Sequence, residues 1–142
     1  NGTESPSIRT VRNPSGAPAV RTSRTPDMAA EDWTPSRWLV SSSKDYRLLQ
    51  FASDVNGVAE TDSFLRATDF ASATVLVFQR TVPHCLRRVV EEVRWNDDAI
   101  TLSWTTTQRD AECTDAPVDS EALFVRIPAP ITDLDFFGSY ND

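Results

Sequence analysis

The stretch I-T-L-S-W-T, Ile100–Thr105, decides the fold: Ile100, Leu102 and Trp104 alternate with Thr101, Ser103 and Thr105. Successive side chains of a strand point to opposite faces, so this is a strand with one face in a core and one in water. Asn96-Asp97-Asp98, just before it, has turn chemistry. Upstream of the turn, Arg88–Trp95 is rich in β-formers, with Val89, Val93 and Trp95 on one face and Glu92 and Arg94 on the other. The two strands make a hairpin. Trp95 lies beside the turn and Trp104 well beyond it, so they are not set as direct cross-strand partners; each is expected to fill the core.

Working outward, Thr74–Gln79 is apolar on both faces and reads as a central strand. Residues 106–120 are polar and turn-like. Leu123, Val125 and Ile127 alternate again, and Pro128 and Pro130 stop the pairing. Towards the N-terminus, Arg37–Ser41 and Tyr46–Ala52 read as short strands joined by a Ser/Lys/Asp turn. Asn56-Gly57 is the strongest short turn signal. Glu60–Ala67 has helical spacing, with Phe64 and Leu65 apolar and Thr61 or Asp62 placed to cap. About six strands and at most two short helices describe a mainly β domain, an antiparallel β-sandwich or open barrel.

The chain has 142 residues, 39% hydrophobic and 25% charged, the length and composition of one globular domain. No apolar run approaches the roughly 18 residues of a membrane helix. The net charge of −7 argues against nucleic acid as a partner. Thirteen Arg stand against one Lys, and fourteen Asp against seven Glu. That bias suits a salt-loving archaeal protein with an Asp-rich hydrated surface; a GC-rich genome also trades Lys for Arg.

Residues 1–30 differ from the rest. They hold four prolines, many Ser and Thr, and only Ile8, Val11 and Val20 as large aliphatics. Arg9, Arg12, Arg21 and Arg24 against Glu4 and Asp27 give this segment a charge of +2, and residues 31–142 carry −9. The composition reads as an extended arm or tether on a single domain, 31–142, and its removal should leave the sandwich folded. An ordered arm would dock on a sheet edge or a neighbour, with Ile8, Arg9, Val11, Arg12, Val20 and Arg21 as its contacts. The C-terminal Phe136, Phe137 and Tyr140 would complete an edge strand or add to a partner's sheet. Asn1-Gly2-Thr3 fits an N-glycosylation acceptor at Asn1. The first residue is not Met, so Asn1 is expected to follow a processed targeting segment.

One family resemblance rests on Thr68-Asp-Phe70, Thr74-Val-Leu-Val-Phe-Gln79, a cysteine, a hairpin, a second cysteine and Leu123-Phe-Val-Arg-Ile-Pro128. The pattern resembles small secreted domains of haloarchaea, often lipoproteins. It is similar in architecture to the small β domain of bacterial protease-complex accessory proteins. The resemblance covers roughly residues 68–128 and implies an extracytoplasmic β domain with no catalytic residues to carry over.

His84-Cys85 is the densest chemistry, with the only histidine and one of two cysteines. A thiol nucleophile needs a base across a cleft, but neighbours on a strand face opposite ways. Zinc would need Cys85, Cys113 and His84 plus Asp110, Glu112 or Asp115, without the usual ligand spacing. A Cys85–Cys113 disulfide fits best. Both residues flank the hairpin, no third thiol is left over, and the closure is worth roughly 3–4 kcal/mol. His84 then reads as an exposed loop residue. Asp97-Asp98, Asp110/Glu112/Asp115 and Asp133/Asp135 lack the spaced calcium-loop pattern and read as solvated turns. Glu91 and Glu92 point opposite ways, Ser42 has no triad around it, and no glycine-rich phosphate loop occurs. Trp33 and Trp38 are expected in the core, with an aromatic binding platform as the alternative. No metal or cofactor is expected. The expectation is a non-enzymatic domain at the cell surface, lipid-anchored upstream of Asn1, that binds a protein partner or itself. The alternative is a filament subunit whose arm packs on a neighbour.

Overall fold

In the computed structural model the alternating stretch is half of a long hairpin. It joins β7 (Leu86–Trp95) to β8 (Ala99–Gln108), with Trp95 opposite Ile100 and Val90 opposite Trp104. Residues 2–4, 6–22, 37–53, 55–109, 117–132 and 136–141 are described. The remaining strands are β1 (Gly2–Glu4), β2 (Ser7–Asn13), β3 (Val20–Thr22), β4 (Arg37–Val40), β5 (Leu49–Phe51), β6 (Thr74–Pro83), β9 (Val118–Ile127) and β10 (Phe136–Asn141). Two helices, α1 (Ser43–Arg47) and α2 (Val58–Arg66), complete the chain.

The first sheet has the order β1-β7-β8-β10, and the second β2-β9-β6-β4. The mainly β sandwich expected from the sequence is what forms. All described pairings are antiparallel except one, since β10 runs parallel to β8. Between the sheets lies a core of Leu39, Leu76, Phe78, Val90, Val93, Ile100, Leu102, Trp104, Leu123, Val125, Ile127 and Ile131. A second core covers the other face of the β2-β9-β6-β4 sheet. There α2 and the β3-β5 ribbon pack Phe64, Leu65 and Val20 onto Val11, Val77 and Phe124. That sheet is therefore a middle layer, which is why Val75–Phe78 and Ala122–Val125 are buried on both faces.

The hairpin departs from simple alternation at Glu91. A β-bulge between Val90 and Glu92 inserts one residue and reverses the phase. Val90 and Val93 face the core, and Val89, expected inside, is 39% exposed.

The N-terminal segment departs further. Its residues are strands of the protein's own sheets: β1 pairs with β7, β2 forms a seven-residue ladder with β9, and β3 pairs with β5. Composition underrates the segment because main-chain pairing to a sheet edge needs few apolar side chains. Those present are used, with Val11 and Val20 at 0% exposure and Ile8 partly buried against the inter-sheet core. Over residues 2–22 the segment is part of the domain it was expected to be tethered to.

Two local expectations also change. The Ser/Lys/Asp turn winds into α1, because Ser42 Oγ caps Asp45 N at 3.1 Å and Asp45 Oδ2 accepts from Ser41 N and Oγ at 3.0 Å. Only Leu49–Phe51 of the expected second strand survives. Asn56-Gly57 turns the chain into α2, and Gly57, at φ +94°, is the cap in place of Thr61 or Asp62. Any side chain on Gly57 would meet the Thr10 carbonyl, so the close approach of α2 to β2 requires glycine.

Candidate functional site

β6 ends at Pro83 in one sheet and β7 begins at Leu86 in the other, so His84 and Cys85 form the crossing between the two layers. Around this crossing the sandwich buries a charged cluster. Arg12 of β2 stands opposite Glu121 of β9 in register, on the side of β2 away from Val11. Its Nε donates to Asp119 Oδ2 at 2.5 Å and its Nη1 to Glu121 Oε2 at 2.9 Å. Its Nη2 reaches three carbonyls of the crossing, Pro83 at 3.1 Å, His84 at 3.2 Å and Leu86 at 2.5 Å. One guanidinium thus ties the N-terminal strand to both sheets.

Glu121 is shared. Its Oε1 accepts from Arg88 Nε at 2.6 Å, and Arg88 Nη2 donates to the Glu121 carbonyl at 2.6 Å and the Phe78 carbonyl at 3.2 Å. The Arg88 guanidinium also stacks over Phe78 and Trp104, 4.7 and 5.7 Å from their ring centres. Its Nη1 is buried with no hydrogen-bond partner. Burial pushes this guanidinium below its ordinary pKa. Glu121 opposes that shift, and the charges of Arg80 and Arg12 add to it.

Asp119, 1% exposed at its side chain, accepts from three cations or donors: Arg12, Arg109 Nη1 at 3.3 Å, and His84 Nδ1 at 2.9 Å. A carboxylate only accepts, so the imidazole proton sits on Nδ1. Burial by itself would raise the Asp119 carboxyl. Hydrogen bonds from Arg12 and His84, with the charges of both, outweigh it and hold the carboxyl below its ordinary value. His84 is exposed in the turn, as expected, and it also forms the rim of the cluster, 46% open at its side chain and anchored on its inner side.

The pair resembles the base-and-orienter half of a catalytic triad. Among the described residues no hydroxyl or thiol is hydrogen-bonded to His84 Nε2. Cys85 is buried at 5% exposure, and its carbonyl accepts from Arg109 N at 2.7 Å. Cys113 lies outside the described residues, and none of the described cysteines is free.

The other expected sites scatter. Glu91 is the bulge residue and is exposed; Glu92 pairs with Arg94 at 2.7 Å. Asp97 and Asp98 are exposed in the hairpin turn. No group of three or more metal-ligating side chains occurs among the described residues. Asn1, Arg24, Trp33, Asp110, Glu112, Asp115, Asp133 and Asp135 lie outside them. Trp38 is buried in the second core, as expected. Of the residues assigned to a partner, Val11, Arg12 and Val20 are buried in the protein's own interior. Ile8 and Phe137 pack against the inter-sheet core, with Phe137 5.1 Å edge-on to Phe78. Phe136 and Tyr140 lie on β10, paired with Ala99 and Ser103. Arg9 and Arg21 keep exposed positions.

The chain matches no family model, no curated protein and no solved structure.

Proposed function

We propose that this is a non-enzymatic, extracytoplasmic binding or structural domain at the cell surface. The observation that carries the reading is the use made of the reactive residues. The sole imidazole, the buried carboxylates of Asp119 and Glu121, and the guanidiniums of Arg12 and Arg88 are bound to one another and to the carbonyls of the inter-sheet crossing. Groups held this way brace a scaffold. A Cys85–Cys113 bond would close the chain at the same corner, as small secreted domains do. Anchoring upstream of Asn1, self-association and a salt-adapted Asp-rich surface belong to this proposal. The filament alternative is less favoured, because β1 and β2 lie in the protein's own sheets.

Fractionation of the producing cells, with intact mass before and after reduction, tests the reading. The expected result is protein in the surface or extracellular fraction, about 2 Da lighter before reduction. Recovery from the cytosol with two titratable thiols refutes it.

A further inference from the structure

Arg9 of β2 and Arg126 of β9 sit diagonally on one ladder, since Arg9 is opposite Phe124 and Ser7 opposite Arg126. Arg9 is in phase with Val11, and Arg126 with Phe124, so both lie on the face that carries α2. Both guanidiniums stack on the Phe64 ring, Arg9 Cζ 4.8 Å and Arg126 Cζ 4.0 Å from its centre. Arg126 is fixed in place. Its Nη2 donates to the Phe64 carbonyl at 2.7 Å and to Thr68 Oγ1 at 2.8 Å, and its Nε to Thr68 Oγ1 at 3.0 Å. Arg9 Nη1 donates to the Ile8 carbonyl at 2.8 Å.

Among the described residues neither guanidinium has a carboxylate within ion-pair distance. Burial and then the charge of Arg9 lower the Arg126 guanidinium, and no acidic group among the described residues opposes them. Two like charges share one aromatic ring, and an anion between them would relieve the repulsion.

We propose that Arg9 and Arg126, framed by Phe64 and Thr68, bind a tetrahedral oxyanion, a phosphate or sulfate group. A carboxylate offers two oxygens in one plane and suits a single guanidinium fork. A tetrahedral group presents oxygens in several directions and can accept at once from the donors the two guanidiniums leave over, Arg126 Nη1 and Arg9 Nε and Nη2. The net charge of −7 repels extended polyanions, so the ligand is a single such group, free or on a small molecule.

The test is titration of the full chain with sodium phosphate, sodium sulfate, sodium acetate and a sulfated monosaccharide. Each is matched in ionic strength with sodium chloride and followed by melting temperature and by the amide resonances of Phe64 and Thr68. Arg9→Gln removes one fork. Arg21→Gln makes the same charge change at another exposed position. Saturable binding of phosphate or sulfate by wild type and R21Q, weakened at least tenfold in R9Q, supports the site. Tighter binding of the sulfated sugar also supports it and assigns the group to a carrier molecule. Equal affinity in R9Q and R21Q, or a response no larger than that to acetate or chloride, overturns it.

Discussion

Glu121→Gln is the sharpest test of the buried cluster. Glu121 is 1% exposed at its side chain and holds Arg12 Nη1 at 2.9 Å and Arg88 Nε at 2.6 Å. The side chains of both arginines are themselves buried, 7% exposed for Arg12 and 0% for Arg88. Gln keeps the shape and one acceptor oxygen but removes the charge and turns the second oxygen into a donor facing a guanidinium. Breaking a buried pair by removing one partner costs about 3–5 kcal/mol, because the other charge stays buried. For a chain of this length that corresponds to a fall of roughly 10–20 °C in melting temperature. Urea unfolding and calorimetry of wild type and E121Q, both in the same cysteine oxidation state, give the difference. The double variant Arg88→Met with Glu121→Leu should lose less than the sum of its two single variants, since it removes charge and countercharge together. A loss below about 1 kcal/mol for E121Q, the range of exposed pairs, would refute the view that the cluster holds the layers together.

Four further outcomes follow from the same geometry. Deleting residues 1–13 removes β2 and with it the fully buried Val11 and the Arg12 staple, so cooperative unfolding should vanish; a truncated protein that melts like wild type would restore the tether. Because Asp119 is held below its ordinary pKa, its contribution is complete above pH about 4 and is lost as pH falls through the lower folded value. Asp119→Asn should therefore lose less stability than wild type between neutral pH and pH about 3, and parallel curves would contradict this. Gly57→Ala, strained at φ +94° and driven onto the Thr10 carbonyl, should cost about 1–3 kcal/mol by urea unfolding. Stability should rise from low to molar salt as acidic repulsion is screened; a flat or falling melting curve would leave the Asp and Arg bias to the genome.

Much of the sandwich is legible because alternation is a local signal. Ile100-x-Leu102-x-Trp104 and Leu123-x-Val125-x-Ile127 each show their core face directly, and Thr74–Phe78 shows that it has none to spare for solvent. What the sequence hides is non-local. The N-terminal strands are held by pairing with β7 and β9, roughly a hundred residues away in the chain, and composition cannot register a hydrogen-bond ladder. The bulge at Glu91 is equally silent, because Val89, Val90 and Val93 fit a strand in either phase.

The cluster is half legible, and the half that can be read is instructive. Asp119 and Glu121 share the phase of Leu123, Val125 and Ile127, so extending that alternation backward points two carboxylates into the sandwich. A charge on the core phase needs a countercharge, and counting inward positions along the strand marks both residues from their spacing alone. Finding their partners is another matter. Arg88 joins the inward phase only because the bulge comes after it, and Arg12 arrives from a segment whose prolines and serines suggest no strand at all. The arginine that looked like one of four charges on a loose arm is the residue that closes the corner. It reaches Asp119, Glu121 and the carbonyls on either side of Cys85 from a single side chain. A short, polar segment can therefore be essential to a sandwich when its charge completes a buried cluster, because its ordering entropy is offset by main-chain pairing and by neutralising two carboxylates that would otherwise be buried without enough positive charge.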